Sequence, residues 1–244
     1  AALKLYGGRL LVNSINFESG EEKAEKLVEL SRRFGSALVA LTIDEVGMAM
    51  TADRKVEIAG RLIEFCEKRG MRRGDLLIDT LTFTVCSGDG TLRDAAKETL
   101  EAIRRIKEKF PGVRTILGLS NISFGLKPPA RKVLNTVFLS RCVKAGMDAC
   151  IINTSTLVPL TDLSPVAVRL AEKLLDNDAA DGDPLENYIQ HFEAAAPEAE
   201  AGAAGAAQTP EEQVAAALVK GKAVLLEASI PALLAKMAAE DVLN

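Results

Sequence analysis

Aromatic residues are scarce in this chain of 244 residues: Phe and Tyr together make up 4%, and Trp is absent. Any core must therefore be built from Ala, Val, Ile and Leu, and a hydrophobic content of 48% is enough to build one. Histidine occurs once, at His191, and the four cysteines at 66, 86, 142 and 150 form no C-x-x-C pair. That scarcity argues against a zinc site within the chain and against a Ser-His-Asp or Cys-His hydrolase. Each cysteine sits in an apolar setting and reads as a reduced core residue, which implies a reducing, cytoplasmic environment. His191 reads as a solvated surface residue. No apolar run reaches about 18 residues, so no membrane span is expected, and Ala1-Ala2-Leu3-Lys4 does not read as a signal peptide. The net charge is −4 and no Lys/Arg block is flanked by aromatics, so no nucleic-acid surface is expected. Neither G-x-G-x-x-G nor G-x-x-x-x-G-K-[ST] follows the first apolar run, so nothing marks a nucleotide fold.

What the chain does have is alternation. Short apolar runs at 9–14, 37–43, 75–78, 115–117 and 149–152 read as buried strands. Residues 21–34, 53–68, 91–110, 131–145 and 166–177 read as the helices that follow them. The first carries Ala24, Leu27, Val28 and Leu30 at helical spacing, and the second carries Val56, Ile58, Ala59, Leu62, Ile63 and Phe65. Pro111-Gly112 closes the third and Gly146 the fourth. Five β-α units whose strands are apolar on both faces predict a parallel sheet with right-handed crossovers. The architecture is then either a doubly wound sheet or a (β/α)8 barrel.

Each strand gives way to a carboxamide or a carboxylate: Asn13, Asp44, Asp79, Asn121 and Asn153. In a barrel these ends converge on the one face where barrel enzymes keep their chemistry. A single Asn or Asp is as well explained by a turn or a helix cap. Five in succession, with Asp79 and Asn121 each followed by a long loop, favour a site. A barrel closes with eight strands, so the reading is an α/β fold comprising the C-terminal part of a (β/α)8 TIM barrel. Three further β-α units are expected upstream. Residues 1–192 are expected to be this barrel portion, and 193–209, rich in Ala, Glu and Gly, a flexible linker. Thr209 as N-cap and Pro210 at the first helical position open 210–244, read as the beginning of an all-α domain.

This face has no nucleophile-base pair and no cationic cluster for phosphate. It suits a flat, uncharged heterocycle such as a pterin, whose guanidine-like donor edge carboxylates accept and whose mixed edges amides match. The segments "LLVNSIN" (10–16), "LTIDE" (41–45), "DRKVEI" (53–58), "LLID" (76–79), "GLSNISFGL" (118–126) and "IINTS" (151–155) resemble the pterin-binding barrel of the cobalamin-dependent methionine synthases. The tail "EEQVAAALVKG" (211–221) resembles the start of that family's helical cobalamin cap.

The resemblance implies a methyltransferase. Methyltetrahydrofolate would be the substrate, and its N5 methyl group would pass to cob(I)alamin and then to homocysteine. It implies that Asn13 and Asp79 hold the pterin and that Asn121 bonds to N5. Asp44 and Asn153 would line the same face, and Ser120, Ser123 and Phe124 would brace the loop. Arg131 would either reach the folate's p-aminobenzoyl-glutamate tail or make a surface salt bridge. The partners implied are a cobalamin-binding domain of the same protein and a homocysteine domain, the latter carrying the zinc; neither is in this chain, nor is a D-x-H-x-x-G cobalamin-ligand motif. The chain is therefore expected to be a piece of a larger protein that completes no turnover alone. A dihydropteroate synthase would need cationic residues where Ser123-Phe124 and Asn153-Thr154-Ser155 stand. A stand-alone methyltetrahydrofolate:corrinoid protein methyltransferase and a non-catalytic folate-binding scaffold remain as alternatives.

Overall fold

The structure, a computed structural model, describes residues 2–203, with side chains through residue 194. A short helix α1 (Ala2–Leu5) precedes β1 (Leu11–Ile15) and α2 (Glu21–Phe34). Strand β2 (Ala37–Leu41) leads into a small hairpin, β3 (Ile43–Asp44) and β4 (Gly47–Met48), and then α3 (Ala52–Lys68). Next come β5 (Leu76–Asp79), α4 (Ala95–Lys109), β6 (Arg114–Gly118), α5 (Pro128–Lys144), β7 (Ala149–Ile151), α6 (Pro165–Leu175) and α7 (Pro184–Ala203).

The main sheet has five parallel strands in the order β1-β2-β5-β6-β7. Spatial order follows chain order without reversal, so there is no switch point of the kind that defines a doubly wound sheet. Period-two alternation assigns the two faces. Leu38, Ala40, Leu76, Ile78 and Leu117 lie in the two large clusters that include the helices. Val39, Leu77 and Ile116 form a separate cluster with Ala37, Leu41 and Ala149, drawn from strands alone. Helices thus cover one face, and the strands curl into a half-barrel around the other. Strands β1 and β7 stand at the two edges.

The five expected strands and the five helices that follow them form, and the shifts at their ends have local causes. Helix α4 begins at Ala95 because the Asp89 side chain accepts from the Thr91 N–H and holds residues Gly90–Leu92 in a 3-10 turn. Helix α5 begins at Pro128, since prolines suit first-turn positions that need no N–H donor. Thr42 ends β2 by bonding through its N–H and its hydroxyl to the Asp79 carbonyl, and the chain then folds into the β3-β4 hairpin. Leu30 is 41% exposed rather than inward, because α2 buries the stripe Ala24, Val28 and Ser31. All four cysteines are free thiols, Cys66 and Cys142 fully buried. His191 is half-buried, its ring 5.1 Å from Phe192.

By contacts the chain divides into units 1–192 and 193–244. Helix α7 continues to Ala203, so the first part of the stretch read as a linker is helical. Residues 204–209 and the cap helices expected in 210–244 lie outside the described residues. Among the described residues no helix is long and apolar enough to cross a membrane.

Candidate functional site

The sheet register puts Asn13 and Asp79 on the face that the helices leave uncovered. Asn13 pairs with Val39, and Val39 with Leu77; Asp79 pairs with Leu41 and Ile116. Paired residues point the same way, and Val39, Leu77 and Ile116 belong to the strand-only cluster. The register of β1 slips between Asn13 and Ile15, so an extra residue stands at Ser14 and Ile15 returns to the helix-covered side, where it is buried. Asn13 itself is exposed and lines a groove with Val12, Asn16, Lys23 and Leu27.

Asp79 is the last residue of β5 and only 7% exposed. Burial pushes its carboxyl up to about 6, against the pull of the Leu81 N–H, which donates to Oδ1 at 2.8 Å, and of nearby Lys55. At neutral pH it is ionised yet ready to accept further hydrogen bonds. The neighbouring hydroxyls of Thr80 and Thr82 are buried with no partner among the described residues. Buried polar atoms of this kind call for a water or a ligand.

Asn121 stands three residues past β6, in the 3-10 turn Leu119–Ser123. Its exposed side chain has no hydrogen-bond partner among the described residues. Gly118 shows where it lies. By register with Ile116, a Cβ at Gly118 would point onto the uncovered face, and it would meet the Asn121 Nδ2 at 3.1 Å. The Asn121 amide therefore folds back over the end of β6 on the side of Asn13 and Asp79, and the missing side chain at Gly118 makes the room.

The loop around Asn121 is tied down from behind. Ser123 Oγ, fully buried, donates to Asn135 Oδ1 at 2.8 Å and accepts from Arg131 Nε at 3.1 Å. The Arg131 guanidinium also donates to the Ser120 carbonyl at 3.1 Å. The Thr84 hydroxyl donates to the Phe124 carbonyl at 2.7 Å and the Val85 N–H to the Ile122 carbonyl at 3.2 Å, so the loops after β5 and β6 brace each other. Ser120, Ser123 and Arg131 thus hold the loop. Phe124 contributes only its backbone, for its ring is 68% exposed.

Asp44 and Asn153 are differently placed. Asp44, 1% exposed, is engaged by Arg54 and, at 2.7 Å, by Arg61, and its other oxygen accepts the Val46 N–H at 3.1 Å. Burial pushes its carboxyl up, but the Val46 N–H and the two guanidinium groups outweigh burial and hold it below the usual carboxylate range. This carboxylate fastens the β3-β4 hairpin to α3. Asn153 follows β7 by two residues and caps the 3-10 turn Thr154–Thr156, its Oδ1 accepting from the Ser155 N–H at 3.1 Å and hydroxyl at 2.8 Å. Its Nδ2 keeps its donors.

Among the described residues the arrangement is an amide-and-carboxylate face with the buried, ionised acceptor of Asp79 and the amides of Asn13 and Asn121. Burial raises the Cys66 thiol to about 12 and the Cys86 thiol to about 11, so neither is a thiolate at neutral pH. Among the described residues no group of three His, Cys, Asp or Glu is placed to hold a metal ion. Such a face offers hydrogen-bond acceptors and donors side by side.

Residues 1–153 match the model of the pterin binding enzyme family. The chain is 46% identical over 198 residues to the methionine synthase of Mycobacterium tuberculosis (strain ATCC 25618 / H37Rv) and 43% identical over 197 residues to that of Mycobacterium leprae (strain TN). Each match covers 79% of this chain but only 17% and 16%, respectively, of those proteins. With a family model matched over more than half its length, this chain belongs to the pterin-binding enzymes.

Proposed function

We propose that this chain supplies part of a methyltetrahydrofolate site in a cobalamin-dependent methionine synthase. In this reading it presents the N5 methyl group for transfer to cobalamin on the way from homocysteine to methionine. The observation that carries the reading is the shared face: Asn13 and Asp79 both on the uncovered side of the sheet, with the Asn121 amide over Gly118 on the same side.

The ionised Asp79 carboxylate accepts from the donor edge of the pterin, where charge-assisted bonds are short and strong. Asn13 contributes donor and acceptor from the neighbouring edge, while Asn153 caps the turn after β7. Asp44 serves by holding the hairpin that rims the site. N5 is a tertiary amine and leaves poorly until it is protonated. The Asn121 carbonyl accepts the hydrogen bond of that protonated nitrogen without competing as a base, and the bond strengthens as the C–N bond breaks. Arg131 and Ser123 keep that amide in place, so the arginine is assigned to the loop rather than to the folate tail.

Cobalamin, when bound, supplies the cobalt nucleophile that takes the methyl group. The chain has no D-x-H-x-x-G motif to ligate it, so its binding is assigned to another domain, as are homocysteine and zinc. The test is Asn121→Ala in the full-length gene product. The expected result is methyl transfer to free cob(I)alamin slowed at least about 30-fold with methyltetrahydrofolate affinity within about threefold. Equal losses in rate and affinity would remove Asn121 from the chemistry, and binding with no transfer in the wild type would support a scaffold.

A further inference from the structure

Lys55 is the one lysine or arginine among the described residues in the fully buried class, at 0% exposure. It lies on the apolar stripe of α3 with Ala59, Leu62 and Cys66, in the helix's first turn. Two forces act against a cation there: the loss of water and the positive end of the helix dipole. Its tolerance needs a local reason, and the reason lies at the end of β5. The Lys55 Nζ donates to the Thr80 carbonyl at 2.5 Å and to the Leu81 carbonyl at 3.1 Å, and sits 5.2 Å from the Phe83 ring. The charges facing it are the carboxylates of Asp79 on β5 and Glu98 on α4; Glu98 also accepts the Ala52 N–H at the start of α3.

The turn it grips is unusual. Leu81 has φ 56, the left-handed region that a residue with a branched side chain seldom adopts. In that conformation its N–H reaches back to Asp79 Oδ1, while its carbonyl accepts from both Lys55 and Thr99 Oγ1, the latter at 3.1 Å.

We propose that Lys55 is a positioning residue for Asp79: its ammonium pins the Thr80 and Leu81 carbonyls and fixes the turn whose N–H aims the Asp79 carboxylate into the mouth, so that pterin binding depends on it through Asp79. The proposal rests on the reading of Asp79 as a pterin ligand. Burial draws the Lys55 amine down to about 8, against the attraction of Asp79 and Glu98, so it remains mostly charged at neutral pH. Its charge in turn helps keep Asp79 ionised.

The experiment uses the full-length gene product with Lys55→Met and Asp79→Asn. Tetrahydrofolate affinity is measured by calorimetry at about pH 6.5 and about pH 8. The Asp79 carboxyl is followed by 13C NMR, its resonance assigned by its loss in Asp79→Asn. In Lys55→Met the Asp79 titration is expected to move up by about one unit. Affinity is expected to fall about tenfold or more at pH 6.5, and the deficit relative to wild type to shrink about threefold at pH 8, where Asp79 is ionised in both proteins. An unmoved Asp79 titration, or a loss equal at both pH values, overturns the proposal and leaves Lys55 a structural residue. If Lys55→Met does not fold, Lys55→Gln, which keeps a donor without the charge, carries the same comparison. Undiminished binding by Asp79→Asn would instead refute the pterin assignment of Asp79, whatever Lys55 does.

Discussion

Replacing Asp79 by Asn should stabilise the protein and disable it in one step. The carboxylate is 7% exposed, and burial lifts its proton affinity from the ordinary 3.8 to about 6. The native state thus binds this proton more tightly than the unfolded chain does. The stability this confers is whole below about pH 4 and is lost as pH climbs through about 6, where the native carboxyl finally ionises. A difference of about two units corresponds to about 3 kcal/mol. Asparagine keeps the acceptor for the Leu81 N–H and nearly the same volume but never ionises. Urea unfolding of wild type and Asp79→Asn should therefore coincide near pH 4. They should separate between about pH 4 and 6, with the variant more stable by up to about 3 kcal/mol at pH 7.5. The same variant should lose most of its pterin affinity, because it carries no charge for the donor edge. A stability difference that stays flat with pH would refute the argument that burial sets the proton affinity of this group.

Three further substitutions probe the supports of the site. Gly118→Ala adds a methyl group 3.1 Å from the Asn121 Nδ2 at a backbone φ of −73 that any residue adopts. Unfolding free energy should change by less than about 1 kcal/mol while methyl transfer slows about tenfold or more. Asp44→Ala leaves Arg54 and Arg61 without their shared buried partner and should cost about 2 kcal/mol in denaturant unfolding, since both guanidinium groups are partly solvated. That loss should shrink in acid, because the stability from a carboxylate held below its usual range is lost as pH falls through its lowered value. Arg131→Met removes one partner each from the Ser120 carbonyl and the Ser123 hydroxyl and should lower kcat more than it raises KM, at about 1 kcal/mol in stability.

The alternation of apolar runs with helical stripes was enough to read five β-α units of a parallel sheet, though not whether that sheet lies open or curls. Strands buried on both faces and helices buried on one leave different periods, and Leu76-Leu77-Ile78 and the stripe of α3 show them plainly. The polar residues at the strand ends were legible as a group, but their individual duties were not. Asp44 and Asp79 look alike in sequence; two arginines one and nearly three turns along α3 neutralise the first, while the second keeps a buried charge with a single lysine nearby. Gly118 gave no signal beyond a strand ending, because its importance lies in the space that Asn121 occupies. Lys55 did leave a trace: a cation on the stripe that Ala59, Leu62 and Cys66 continue is a contradiction that only a buried partner resolves. The hairpin β3-β4 was hidden because Ile43 continues the apolar run of β2 and only the bonds from Thr42 to Asp79 show where that strand stops.

The most direct measurement is a crystal structure of the full-length protein with methyltetrahydrofolate bound. The account predicts the donor edge of the pterin within about 3 Å of the Asp79 carboxylate, N5 facing the Asn121 amide and Asn13 against the ring's neighbouring edge. A pterin bound elsewhere, with Asp79 and Asn121 contacting only solvent, would contradict it.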